Sequence, residues 1–514
     1  MSDQIADRRA KLDKIRALDV DPFGARFPDV SRHAEIRAAA DQLNIEPGQL
    51  SEDEKATFRA AGRVVLHRDI GSLIFMTVRD ATGDLQYGLS KKMVAANWKV
   101  AKLLDLGDIV GVEGRLGRTK TGELTLWVFE FTLLSKALRP PPAKWHGLTD
   151  VELRYRKRYV DLFANPDSRE VFIKRARIID YARQVLQQRG FIEVETPVLQ
   201  PIYGGAAARP FTTHHNTLDM DLFLRISPEL YLKRCLVGGL ERVFEFSRCF
   251  RNEGISPRHN PEFTMLELYQ AYADYHDMMD ICEAFIAGAA RDVIGTSKIP
   301  VDRRSAETGG EGEAPAEPGA LDGGSPSQTR IIDYTTPWPR LKYADLFAEH
   351  VGFPLTDIAK VRARARELKI EEQKLDDAVV INALFEQCVE DHLVNPTFVL
   401  DYPAPLCPLT KRHPDDPNVA LRFELFINGT EIGNAYSELN DPDVQRATLG
   451  SQLRGEEGET MAVMDDDFVE SLEYGMPPAG GLGIGIDRVV MLLTGSPSIR
   501  DVLLFPLQRP QKEE

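Results

Sequence analysis

The stretch Arg242–Tyr272, RVFEFSRCFRNEGISPRHNPEFTMLELYQAY, concentrates side chains that could do chemistry. Its polar loop, Asn252–Pro261, holds Arg251, Glu253, Arg258 and His259 close together. Beyond the loop, Phe263, Met265, Glu267 and Tyr269 stand at every second position, and strand side chains at that spacing share a face. A carboxylate in register with Met and Phe implies a face that lines a pocket, because a buried carboxylate without a partner is costly. A hairpin whose polar face is merely wet shows the same alternation.

Three further groups carry possible chemistry. In FELFINGTEIGN (423–434), Asn428-Gly429 between apolar runs is the type I′ hairpin signature. That turn puts Phe426 opposite Glu431 and Glu424 diagonal to it on the same face, roughly 7–8 Å away by backbone. Two carboxylates so placed suit Mg²⁺, with substrate phosphates completing its shell, and Asn434 and Glu438 follow at once. A solvated hairpin face is the plain alternative. The run Gly480–Gly485 leads into Ile486-Asp487-Arg488; Ile486 stands where a dinucleotide fingerprint needs its last Gly, but the backbone admits a flat ligand and Arg488 could reach a phosphate. Gly204-Gly205 likewise allows close approach, and Ser227-Pro228-Glu229 opens a helix with Glu229 at its positive end.

The elements that must position these groups are legible in outline. Residues 242–272 read as two antiparallel strands, Phe244, Phe246 and Phe250 on one face and Glu245, Ser247 and Arg251 on the other. Val171–Arg189 reads as an amphipathic helix stopped by Gly190, leading into a strand, FIEVET, closed by Pro197. Residues 61–134 hold five short strands and a helical insert, AANWKVAKLL, which predicts a small closed barrel of the oligonucleotide-binding kind, although other small barrels look alike. Its face offers Phe75, Gln86 and Glu123 beside Arg68, Arg115, Arg118 and Lys120; a ring to stack on a splayed base, with amide and carboxylate to read its edge, is what single-strand RNA recognition requires. Residues 3–18 form a basic amphipathic helix and LRPPP (138–142) a stiff linker. The stretch 305–329 contains no aromatic and a single Leu, a composition that predicts disorder.

With 514 residues and a net charge of −16, the chain predicts several domains of a soluble, acidic protein, without generic nucleic-acid binding but with room for a local basic patch. Five cysteines without CxxC spacing suit thiols in a reducing cytosol. No apolar signal core or long apolar run occurs, so neither export nor a membrane span is expected.

Taken together, the motifs resemble class II aminoacyl-tRNA synthetases over nearly the whole chain. GFIEVETPVL (190–199), FRNEGISPRHNPEFTMLELYQAY (250–272) and GLGIGIDRVVML (481–492) resemble the three class motifs. GGAAARPFTTHHN, PELYLKR, NGTEIGN and SELND resemble the lysyl-tRNA synthetases within the class. The resemblance implies an α+β chain: an N-terminal five-stranded OB-type β-barrel that binds the anticodon, and a catalytic domain of seven antiparallel strands flanked by helices. The divisions expected are a helical extension over 1–55, the barrel over 56–137, a linker over 138–170 and the catalytic domain over 171–514, with an insertion at about 303–330. It also implies a cytoplasmic homodimer, built partly on the first motif, that joins L-lysine to tRNA(Lys) through a lysyl-adenylate, with ATP as co-substrate and several Mg²⁺ ions.

Carried over by position, Arg251 and Arg488 are the catalytic residues. Arg251, Glu253, His259, Phe263, Asn434, Gly485 and Arg488 bind ATP, with Phe263 stacking on adenine. Gly205 and Glu229 hold the α-amino group of lysine, while Glu267, Tyr269 and Glu438 form its side-chain pocket. Glu424 and Glu431 are metal ligands, and Phe75, Gln86 and Glu123 read the anticodon. An ammonium needs anionic and hydroxyl partners, whereas aspartate would need a cation; Glu267, Tyr269 and Glu438 therefore oppose the aspartyl and asparaginyl rivals. A ligase that attaches a lysine derivative to a protein resembles the catalytic part alone. A retired, RNA-binding homologue predicts loss of Arg251, Glu424, Glu431 or Arg488, and all are present. Ser72 after Gly71 departs from the Lys common in the family, at a contact to the anticodon stem.

Overall fold

The computed structural model describes residues 2–142, 148–206, 208–302, 329–370, 372–373, 375–452 and 464–510. The low-complexity stretch predicted over 305–329 lies, up to residue 328, outside the described residues. Two compact units divide the chain, Met1–Thr149 and Asp150–Glu514.

In the first unit β1 (Thr57–Ile70), β2 (Leu73–Arg79), β3 (Asp84–Ser90), β4 (Ile109–Arg118) and β5 (Leu124–Ser135) close into a barrel in the order β1-β2-β3-β5-β4. Alternation makes it: Ile74, Met76 and Val78 of β2 are fully buried with Val64, Leu85, Leu126 and Val128, and the residues between them face outward. The predicted basic helix is Ser2–Arg16, with Leu12 and Ile15 buried. The helical insert is short, Trp98–Ala101.

The second unit is built on one large sheet, whose first strand is β6 (Ile192–Glu193). A small three-stranded sheet follows, of β7 (Leu199–Gln200), β8 (Thr212–His215) and β9 (Met220–Leu224). The large sheet continues with the hairpin β10 (Arg242–Phe250) and β11 (Glu262–Ala271). A separate pair, β12 (Lys298–Asp302) with β13 (Thr329–Asp333), precedes β14 (Arg340–Lys342), β15 (Thr397–Pro403), β16 (Val419–Ile427), β17 (Thr430–Ser437) and β18 (Ala479–Gly485). The large sheet runs β14-β15-β16-β17-β18-β11-β10-β6. It thus has eight strands among the described residues where seven antiparallel ones were expected, and each edge strand, β14 and β6, pairs parallel to its neighbour. The predicted strand FIEVET pairs only through Ile192 and Glu193, and the chain leaves the sheet edge before Pro197, which has no N–H to give a ladder.

One face of this sheet packs along its length; the other packs toward both ends, through Val243 and Tyr269 on one side and Val399 and Phe426 on the other, and is open between them. Leu266, Leu268, Leu482 and Ile484 bury against Ile178, Ala182 and Leu186 of the helix Pro166–Gln188 and Val489 and Val490 of the helix Ile486–Thr494. The longer helix opens on Pro166 and ends where Gly190 takes φ +80°, a left-handed turn that a side chain would strain. Strand alternation sends Met265, Glu267, Tyr269 and Gly481, Gly483 and Gly485 of β18 to the opposite face.

Candidate active site

The open face is organised around a strip of bare backbone. Gly481 and Gly483 of β18 pair on one side with Tyr269 and Glu267 of β11 and on the other with Tyr436 and Asn434 of β17. Gly481 has no space for a side chain, since Glu438 and the Tyr269 ring occupy the place of its Cβ. The glycine run is therefore a floor over which polar groups converge from both sides, and two adjoining cavities open on it.

The first cavity is lined by Arg251, Glu253, His259, Phe263, Asn434, Gly485 and Arg488, so the seven residues assigned to ATP come together, joined by Arg258 and Glu431. The loop after β10 is closed by the Arg251 N–H donating to the Pro261 carbonyl at 2.9 Å. Ser256 Oγ accepts from the N–H groups of Arg258 and His259, at 3.1 and 3.0 Å, and lies 2.9 Å from His259 Nδ1. Arg488 donates from Nη1 to the Glu431 carbonyl at 2.7 Å and approaches His259 Nε2 at 3.2 Å. Only a lone pair on Nε2 can receive that donor, so Nδ1 carries the proton toward Ser256. Partial desolvation in the cavity, then the guanidiniums of Arg488, Arg258 and Arg251, hold His259 below its ordinary pKa. The Arg251 guanidinium lies 5.1 Å from the centre of the Phe263 ring, so a cation and an aromatic surface stand side by side. Buried Asp487 bonds the Thr264 N–H at 2.8 Å and Arg175 at 2.6 Å, tying the start of the last long helix to β11.

The second cavity is lined by Gly205, Ser227, Glu229, Glu267, Tyr269 and Tyr436, and shares Arg251, Met265, Asn434 and Gly483 with the first. Gly205 has φ +84°, and a Cβ there would lie 3.0 Å from that of Glu229. Glu267, 4 % exposed, accepts from Ser227 Oγ at 2.8 Å and from the Tyr269 hydroxyl at 3.2 Å. No cation pairs with it among the described residues. Burial, reinforced by Glu229, pushes its carboxyl up to about 8. A buried acid in this state is poised to accept an ammonium, which would supply the missing charge.

Glu438 sits apart from this lining. It is 1 % exposed and pairs at 2.6 Å with buried Lys233, whose Nζ also donates to Glu229 at 2.7 Å. Burial opposes the charge on Lys233, but Glu229 and Glu438 on either side raise its pKa above the ordinary value. Glu438 thus stands behind the lining, against Gly481, at the end of a carboxylate–ammonium–carboxylate chain through Lys233 to Glu229. Sequence reading missed Lys233, although its place four residues after Glu229 on the helix Glu229–Val237 is the spacing of helical ion pairs. Arg422, Tyr402 and Tyr436 were missed too, lacking any motif of their own.

The hairpin β16–β17 turns at Asn428 and Gly429, with φ of 53° and 63°, and Phe426 faces Glu431 as the turn predicts. The register then shifts: Leu425 pairs with Gly433, leaving Ile432 as an extra residue. This bulge brings Asn434 opposite Glu424, onto the face that already carries Glu431. Asn434 Nδ2 donates to Glu431 Oε1 at 2.9 Å, and Glu424 accepts from Tyr402 at 2.8 Å and from Arg422. Among the described residues no group of three or more His, Cys, Asp or Glu is arranged to hold a metal. Two carboxylates on one face fit the mode in which one or two protein ligands share a cation with substrate phosphates, not an all-protein cage.

On the barrel, Phe75 and Gln86 face outward from neighbouring strands, where Thr77 pairs with Gln86 and Phe75 with Gly88. Gln86 Nε2 donates to Thr125 Oγ1 at 2.7 Å, and Phe75 meets Trp127 edge-on at 5.7 Å. Glu123 is exposed in the turn before β5, its N–H bonded to Thr119 Oγ1 at 3.0 Å. No helix among the described residues is long and apolar enough to cross a membrane.

Comparison with known proteins accounts for both units. The family of class II tRNA synthetases (D, K and N) matches residues 150–509, and the OB-fold nucleic acid binding domain matches residues 58–134. The chain is 47 % identical over 518 residues to the lysine–tRNA ligase of Carboxydothermus hydrogenoformans, covering 99 % of each chain. It is 48 % identical over 521 residues to that of Staphylococcus saprophyticus, again covering 99 % of each, and 46 % identical to that of Moorella thermoacetica, over 100 % of this chain and 99 % of the other. The chain belongs to the class II tRNA synthetases and, within them, to the lysine–tRNA ligase family.

Proposed function

We propose that the adjoining cavities are the two halves of one adenylating site, one for L-lysine and one for ATP. The chain is a ligase that forms lysyl-tRNA at the expense of ATP. An oxygen of the lysine carboxylate attacks the α-phosphorus, the bond to the bridging oxygen breaks and pyrophosphate leaves. The terminal ribose hydroxyl of tRNA(Lys) then attacks the acyl carbon, and AMP leaves. No covalent enzyme intermediate is needed, so the protein acts by positioning and charge neutralisation.

The observation that carries this reading is the place of Arg251 in the lining of both cavities. There one guanidinium reaches both the amino-acid carboxylate and the α-phosphate. Arg488 and His259 hold the polyphosphate side, and Phe263 offers a surface for adenine. Gly205 and Glu229 receive the α-amino group, Glu267 and Tyr269 the ε-ammonium, with Glu438 behind them on Lys233. Glu424 and Glu431 are the proposed Mg²⁺ ligands; a bound cation supplies charge neutralisation at the phosphates. Phe75, Gln86 and Glu123 read the anticodon.

The domain divisions at 55, 137 and 170, the cytoplasmic location and the homodimer belong to the same proposal. Ile192 and Leu199, 54 % and 48 % exposed in the first class motif, support a dimer contact there.

The test is exchange of labelled pyrophosphate into ATP with Mg²⁺ and no tRNA. Exchange with lysine but not with aspartate or asparagine is expected. Exchange with aspartate overturns the pocket, and exchange with none of the three overturns the enzymatic reading.

A further inference from the structure

The outward face of the barrel carries a second aromatic ring that the anticodon reading leaves unused. Strand pairing sets Arg68, Phe75, Gly88, Trp127 and Arg115 in one row across β1, β2, β3, β5 and β4. Two glycines make room for the indole. A Cβ on Gly88 would lie 2.9 Å from Cε3 of Trp127, and one on Gly117 would lie 2.8 Å from its Cδ1. The ring therefore lies across β5 with its benzene edge over β3 and its pyrrole edge over β4. Phe75 stands beside it at an interplanar angle of 73°, so the two rings form the floor and wall of a corner.

Two features of Trp127 point to an external ligand. The ring is only half-buried, and its indole N–H finds no acceptor among the described residues, whereas Trp in a settled environment usually does. An arginine stands at each end of the row, exposed Arg68 beside Phe75 and half-buried Arg115 beside Trp127. Flat aromatic surfaces flanked by guanidiniums suit unpaired bases joined by phosphates.

We propose that Trp127 is a second stacking platform, on which the unpaired base adjoining the one on Phe75 lies, with Arg115 toward the phosphate backbone. The proposal rests on the anticodon reading of the barrel face and extends it by one nucleotide.

Intrinsic fluorescence of the full chain tests it directly. Of the four tryptophans, Trp98 and Trp338 are buried, at 8 % and 3 % exposure, and Trp145 lies outside the described residues, so the loss of quench in Trp127→Phe is what assigns the signal to Trp127. Titration with the anticodon stem-loop of tRNA(Lys) is expected to quench emission in the parent protein, and the quench is lost in Trp127→Phe. Trp127→Leu, which fills space without stacking, is expected to raise the KM for tRNA(Lys) about tenfold, a loss in the range of one stacked base. Its kcat and lysine-dependent pyrophosphate exchange stay unchanged, and Trp127→Phe restores the KM. An unquenched parent protein overturns the platform even if the leucine variant folds poorly. If Phe75→Leu raises the KM while Trp127→Leu does not, the platform fails and the anticodon reading stands. If neither raises it, the anticodon reading itself fails.

Discussion

The two cavities that meet at Arg251 are built on opposite electrostatic plans. In the one assigned to lysine, buried Glu267 lacks a paired cation among the described residues, and Glu229 shares Lys233 with Glu438. In the one assigned to ATP, alongside Glu253 and Glu431, three guanidiniums, of Arg251, Arg258 and Arg488, surround His259 and, after partial desolvation, hold its pKa down. Buried charges discriminate sharply, because a wrong guest leaves them unpaired. More hydrated arginines grip any polyphosphate of suitable shape with less discrimination. On the proposed function, the choice of amino acid would fall to β11 and the helix Glu229–Val237, and the grip on the common co-substrate to the loop 252–261 and Arg488.

The strongest way to break this contrast is at the residue that belongs to both sides. Arg251→Gln is expected to lower lysine-dependent pyrophosphate exchange by about 10³-fold or more, the scale of losing a donor that neutralises developing charge. Both KM values are expected to rise, since the side chain lines both cavities. A variant that lost affinity for one substrate alone would show that the cavities do not share this group.

Glu267 sharpens the contrast on one side only. Glu267→Gln is expected to raise the KM for lysine about 10²-fold, in line with removing one partner of a buried ion pair, while the KM for ATP stays within about twofold. The parent enzyme adds a pH signature. The empty-site carboxyl is pushed up to about 8, so below that pH lysine must displace a proton before its ammonium can pair. Affinity for lysine is expected to climb as pH rises, by roughly 25-fold from 6.5 to 8.5, and to level off about a unit above 8. The lysine side chain stays charged through this window. Loss of the slope in Glu267→Gln assigns it to this group; a slope that persists assigns it elsewhere.

Much of this arrangement was legible because strand periodicity and turn chemistry are local. The alternation in β11 gives the site face of Glu267 and Tyr269, and Asn428-Gly429 gives the hairpin register at Phe426 and Glu431. What escaped depends on contacts distant in sequence. The bulge at Ile432 that turns Asn434 to the site has no residue signature. The pairing of Lys233 with Glu438, 2.6 Å apart, joins a helix to the residue just after β17, more than two hundred positions away. Trp127 reads as one more apolar residue in a strand, and only the glycines on both neighbouring strands show that its ring lies on the outer surface. The parallel edge strands were illegible because their pairing rests on a few residues each.

The smallest expected effect separates a wall of the cavity from its support. Glu438 is packed against Gly481 behind the cavity lining and already holds the ammonium of Lys233, so Glu438→Gln is expected to remove no direct partner of the guest. It leaves Lys233 with Glu229 alone, and Glu229 is then drawn more strongly to Lys233 and less to the α-amino group. The expected result is a rise of about tenfold or less in the KM for lysine, smaller than for Glu267→Gln, with a loss of thermal stability from disrupting a buried ion pair. Calorimetric melting alongside steady-state kinetics measures both. Equal penalties for the two variants would place Glu438 against the ε-ammonium and make the chain through Lys233 a feature of the empty site alone.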